Sequence, residues 1–108
     1  MNTTKQTFSP AEQTALILAA AKAQAQTATP THWTICDQDG DAWAALETLE
    51  DHGRGLTEWD VVASIQLTSE PGRRFVGLGA DGRHEITAGD DLGKILAVLF
   101  QPAPAEAA

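Results

Sequence analysis

Sulfur, positive charge and long apolar runs are all scarce in this chain. Cys36 is its one cysteine, which excludes an internal disulfide framework and a cysteine-rich zinc site; a lone thiol suits a reducing cytoplasm. The longest strongly apolar stretch, ALILAAA over 15–21, ends at Lys22, far short of the roughly 20 residues that span a bilayer. Lys5 upstream and AQA at 23–25 suit a secretory leader, but the run has near-minimal length and Pro10 and Glu12 stand just before it, so the expected location is the cytoplasm. Seven Lys and Arg face fifteen Asp and Glu, a formal charge of −8. Such a surface repels phosphates, so neither direct nucleic-acid binding nor attachment to an anionic membrane is expected. The three histidines have no ligand-like spacing, and no metal or cofactor is expected.

What is present reads as one folded unit. An apolar fraction of 43% over 108 residues decides for a single globular domain rather than a disordered chain. Residues 1–8 read as a flexible N-terminus, 9–100 as the domain, and QPAPAEAA at 101–108 as a disordered tail.

SPAE at 9–12 predicts a helix start, with Ser9 as N-cap, Pro10 in the first turn and Glu12 closing a capping box. Alanine-rich sequence carries this helix to about Gln26. HWTIC at 32–36 reads as a strand. A second helix is expected from the Asp41 cap to about His52, with Ala42, Ala45, Leu46 and Leu49 buried. EWDVVASIQLT at 58–68 alternates as a strand with Trp59, Val61, Ala63, Ile65 and Leu67 on one face. RRFVGLG and HEIT supply two more strands, and Leu92, Ile95, Leu96, Leu99 and Phe100 mark a last helix opening at Asp90 or Asp91. The expected fold is α+β: a mostly antiparallel sheet of about four strands with three helices, in the order α-β-α-β-β-β-α. The helices lie mainly on one face, the one carrying Val61, Ile65, Leu67, Val76 and Leu78. A three-residue turn, Ala80-Asp81-Gly82 with Gly82 left-handed, sets Ile86 opposite Val76 and His84 on the core side. Phe75 then falls on the other face, beside Arg73, Gln66, Val62 and Glu85, where Gly77 and Gly79 lower the surface into a shallow groove.

Two motif matches fail on inspection. CDQDGDAW at 36–43 alternates aspartates as a calcium loop does, but glycine falls at the fourth position from Asp37 and Thr48 stands where a bidentate glutamate must close the shell. A turn explains it. GLGADG at 77–82 matches the dinucleotide fingerprint in letters, yet a strand follows where a helix must open. His32 and Cys36 share a strand face but stand too far apart for a nucleophile pair, so no catalytic residue is assigned and no enzymatic activity is expected.

The charge distribution is more informative. Between Asp37 and Asp60 lie eight acids and one base, Arg54. Read as a helix, 41–52 gathers Glu47, Glu50 and Asp51 on one exposed face with Trp43 at its border. Like charges at Glu47 and Asp51 and anions in the last turn oppose helix stability, a pattern that fits a functional surface. The leading expectation is a small acidic partner-binding protein of the inhibitor, immunity or antagonist type, of phage or mobile-element character. It would mask a basic surface of another protein, such as a nucleic-acid site. Trp43, Glu47, Glu50 and Asp51, extended by Asp37, Asp39 and Asp41, form the expected contact. Phe75, Arg73 and Val62 form a secondary surface. The alternative is a structural or accessory subunit, homodimeric through the first helix or the Phe75 face.

Overall fold

Ser9 starts the first helix, α1 (Pro10–Thr27), as the sequence predicts: its hydroxyl accepts from the Glu12 N–H at 3.1 Å, and the Glu12 carboxylate accepts from the Ser9 N–H at 2.7 Å. Ser9→Ala removes one half of this box and is expected to cost about 1 kcal/mol, read as a lowered urea midpoint at unchanged slope. The computed structural model describes residues 6–37 and 40–100. After α1 come five strands, β1 (Thr31–Cys36), β2 (Trp43–Asp51), β3 (Thr57–Leu67), β4 (Phe75–Leu78) and β5 (Glu85–Gly89), and then α2 (Leu92–Leu99), capped by Asp91. The fold is α+β, with one antiparallel sheet ordered β1-β2-β3-β4-β5 and two helices.

The sequence reading placed a helix over 41–52, and the chain there is β2. Alanines at 42, 44 and 45 satisfy either period: read at two residues, Ala42, Ala44 and Leu46 point inward, and all three are buried. Pairing decides the matter, because β2 is hydrogen-bonded to β1 on one edge and β3 on the other. Gly53, expected just past a helix end, instead sits in the β2–β3 turn with φ +87°, where Arg54 and Gly55 are also left-handed and His52 N–H donates to Leu56 O at 2.8 Å. Asp41 caps no helix; its carboxylate accepts from the Gln6 N–H at 2.8 Å.

The expected alternation of β3 breaks in its middle. Leu46 pairs with Ala63 but Glu47 pairs with Val61, so Val62 is an extra residue in a β-bulge. Ala63, Ile65 and Leu67 face the helices and are buried, whereas Trp59 and Val61 turn to the opposite face. The next register also differs from expectation. Ile65 pairs with Gly77 and Leu67 with Phe75, so Phe75 joins the core and Val76 and Leu78 lie on the reverse side. Ile86 is not opposite Val76, which pairs with Ala88; Leu78 pairs with Glu85 and Ile86 is the extra residue of a second irregularity. Gly82 is left-handed as expected, at φ +70°, and His84 is exposed rather than on the core side. Gly77 opens no groove: a Cβ there would lie 2.9 Å from Thr87 Cγ2 and 3.2 Å from Leu99 Cδ2, so this glycine lets α2 close onto the sheet.

The core lies between the sheet and both helices, with Leu16, Ile65, Leu67, Phe75, Ile95 and Leu96 at its centre. Phe8 is buried in it, so the segment read as loose is held over its described part: Ala42 N–H donates to Gln6 O at 2.8 Å, and Arg74 bonds Gln6 and Thr7. Asp39 and the 101–108 tail lie outside the described residues. Among the described residues no helix is long and apolar enough to cross a membrane.

Candidate functional site

Because both helices pack on the Ile65–Phe75 side, no element among the described residues covers the other face of the sheet, and cross-strand pairing arranges its side chains in rows. One row runs Cys36–Trp43–Gln66–Val76–Ala88, the next Thr34–Ala45–Ser64–Leu78, the third His32–Glu47–Val61. Beyond them Leu49 pairs with Trp59. Trp43, Trp59 and Val61 are 41%, 43% and 39% exposed. Large apolar groups on an unpartnered sheet face are the usual mark of a contact surface.

The polar groups among them are organised. Glu47 Oε1 accepts from Thr34 Oγ1 at 2.6 Å and lies 2.8 Å from His32 Nε2, whose ring leans against Trp59 at a 45° tilt with centroids 4.0 Å apart. The Thr34 hydroxyl is the main influence holding the Glu47 carboxyl below its ordinary value; burial opposes it and His32 assists. Asp81, in the turn between β4 and β5, accepts the Arg83 and His84 backbone N–H groups, each at 2.9 Å, and these bonds hold its carboxyl low. The turn, Trp43, Glu47 and Val61 surround a hollow of about 380 Å³ over Ala45 and Ser64. Trp43 marks its rim.

Strand geometry divides the residues that the sequence reading had grouped. Glu47 and Asp51 share the helix-free face with Trp43, while Glu50 turns to the reverse side directly opposite Glu58. Asp51 accepts from Gly53 N–H at 2.8 Å, a turn contact. Asp37 is exposed just after β1, and Asp41 is committed to Gln6. On the secondary surface Val62 is exposed at the bulge, Arg73 pairs with Glu70 and Glu85, and Phe75 is inside the core.

Several residues of this face escaped sequence reading. Trp59 and Val61 were assigned to the core because a bulge leaves no mark in an alternating pattern. Ser64 had a visible signal, a polar residue between Ala63 and Ile65, which alternation places away from the core. Among the described residues, the donors of His52, Glu58 and Asp60 at the β2–β3 hairpin tip lie within 4.8 Å of one another, the one group with metal-ligand chemistry; it stands in open solvent. A second, larger hollow between α1 and α2 is lined by apolar residues such as Ala19, Leu96 and Phe100 and by Lys22, Gln26 and Thr27. No family model, no curated protein and no solved structure matches this chain.

Proposed function

We propose that this protein acts by occupying another protein, as inhibitors, immunity proteins and antagonists do, and that it covers a basic surface with the helix-free face of its sheet. One observation carries the reading: Trp43, Trp59 and Val61 are exposed together on a face that no element among the described residues covers, with Glu47, Asp51 and Asp81 on the same side. Tryptophans anchor protein interfaces more often than other residues, and acids around them steer a basic partner and reject an acidic one. The formal charge of −8 adds long-range attraction of the same sign. Binding rather than catalysis is the proposed mode; His32 is already engaged by Glu47 and Trp59, with Thr34 between it and Cys36.

The test compares baits that alter the two sides of the β2–β3 ribbon. Wild type and Glu50→Gln are expected to capture the same basic protein from lysate, while Trp43→Ala combined with Glu47→Gln loses it by about tenfold or more. Equal capture by all three baits contradicts the assignment to this face. A second reading has its own observation, because Ile17 and Leu18 are exposed on neighbouring positions of α1. A dimer that survives high salt and dissociates on Leu18→Glu supports an accessory subunit instead.

A further inference from the structure

The middle row of the helix-free face consists of short side chains where its neighbours are long. Ala45 and Ser64 form the floor and are buried. Trp43 rises on one side, Glu47 and Val61 on the other, and the Ala80–Gly82 turn closes one end. The resulting hollow is at the small end of ligand sites and has room for one side chain.

Two of its own side-chain donors are already committed: Thr34 Oγ1 donates to Glu47, and Gln66 Nε2 to the backbone carbonyls of Asp41, Ala42 and Leu67. Ser64 is 6% exposed as a residue and lines the hollow, where its hydroxyl can accept a hydrogen bond. Glu47 receives both its hydrogen bonds on Oε1 and Asp81 both of its side-chain ones on Oδ1. The second oxygen of each takes none among the described residues. Among the described residues no lysine or arginine lines the hollow, and Arg73, just before β4, is paired with Glu70 and Glu85. Two carboxylates, a serine hydroxyl and an indole therefore surround a space to which the described residues bring no cation.

A group that only donates, carries positive charge, and is flat enough to lie against an indole satisfies all four. We infer that this hollow takes the guanidinium end of an arginine side chain presented by the partner, stacked on Trp43 and donating to Glu47, Asp81 and Ser64. The inference rests on the partner-binding reading and specifies what that partner inserts. Lysine fits less well: an ammonium is a compact, strongly hydrated point charge that neither stacks nor spans two carboxylates. Cation–π attraction and charge-assisted hydrogen bonds act on the same planar group here.

The experiment is a titration of the ¹⁵N-labelled full chain with N-acetyl-arginine amide, followed by NMR. Saturable shifts are expected at the Trp43 indole N–H and at Ala45, Ser64 and Gly82. The neutral isostere N-acetyl-citrulline amide is expected to bind at least about tenfold more weakly, and N-acetyl-lysine amide about threefold more weakly. Glu47→Gln and Asp81→Asn keep the oxygens that hold Thr34 and the turn, so both spectra should stay folded, and each should weaken arginine binding about threefold or more. Trp43→Ala, at an exposed position, is expected to abolish saturation. Non-saturating shifts, equal binding of citrulline, or affinity unchanged in the Glu47→Gln, Asp81→Asn double variant overturns the inference. If capture of a basic protein depends on Trp43 while the arginine probe does not bind, this inference fails and the docking face stands. Arginine binding without any captured partner leaves the hollow assigned and removes the docking reading.

Discussion

Phe75→Ala is expected to lower the unfolding free energy by about 3–5 kcal/mol, which for a domain of this size shifts the melting temperature by roughly 12–30 °C. Phe75 is 2% exposed and belongs to the largest buried cluster, among Leu16, Leu67 and Ile95. Its cross-strand partners are Leu67 in β3 and Gly89 in β5. Gly89 has no side chain to move into the space left by a phenyl ring. Folded domains hold only about 5–15 kcal/mol in reserve, so this variant sits near the edge of stability. Val76→Ala, one residue along but on the helix-free face, serves as the comparison and is expected to cost about 1–2 kcal/mol. Thermal and urea unfolding of both variants check the pair; equal small losses would place Phe75 at the surface, as its sequence context suggested.

Arg74→Ala is expected to cost about 1–3 kcal/mol, the worth of charge-assisted hydrogen bonds at a partly buried ion pair whose side chains are 31% and 19% exposed. Its guanidinium meets Glu12 as a fork, Nε to Oε2 at 3.1 Å and Nη2 to Oε1 at 2.9 Å, while Nη1 reaches Gln6 Oε1 at 2.7 Å and Nη2 also reaches Thr7 O at 3.0 Å. The same guanidinium lies 5.3 Å from the Phe75 ring centroid, so the two substitutions should not be additive. Arg74→Lys recovers little, because an ammonium cannot make the two-pronged contact. The pair also sets a pH dependence. Burial, the largest single influence on the Glu12 carboxyl, raises its pKa, but the Arg74 and Ser9 hydrogen bonds and the Arg74 charge together outweigh it and leave the pKa lowered from 4.5. A carboxyl depressed by folding contributes stability that is fully present above its unfolded value and is lost as pH falls through the folded one. Wild type should therefore lose stability as pH falls below about 4.5, and Glu12→Gln should flatten that limb. Unfolding curves across this range decide it; identical acid limbs would show that the pair contributes nothing.

The two helices were legible because their signals are local. A capping box at Ser9 and Glu12 and one-face spacing from Leu92 to Leu99 need no knowledge of the rest of the chain. The alanines of 42–45 were ambiguous because a methyl group fits the inner face of a strand as readily as a helix stripe, and only the neighbouring strands settle which. The signal available there was the HGRG run at 52–55, since two glycines around one residue suit a hairpin turn better than a helix end. Reading 41–52 as a helix also shaped the expected site, since helical spacing united Glu47, Glu50 and Asp51 while strand parity puts Glu50 on the far side. Trp43 and Glu47 remain neighbours of the site under either geometry. Asp81 and Ser64 entered only with the structure, because what joins them to Glu47 is cross-strand proximity.

The extra residue at Val62 makes the chemistry of this face a matter of counting. Were Val62 instead an ordinary strand residue opposite Glu47, strict alternation would turn Trp59 and Val61 to the helix side and bring Glu58 and Asp60 to the helix-free one. The bulge is thus what puts an aromatic residue rather than two acids on the contact face. Removing Val62 would leave Glu47 opposite Val61 and both faces as they are, so the bulge, once present, fixes the outer half of the hairpin by register and not by the identity of residue 62.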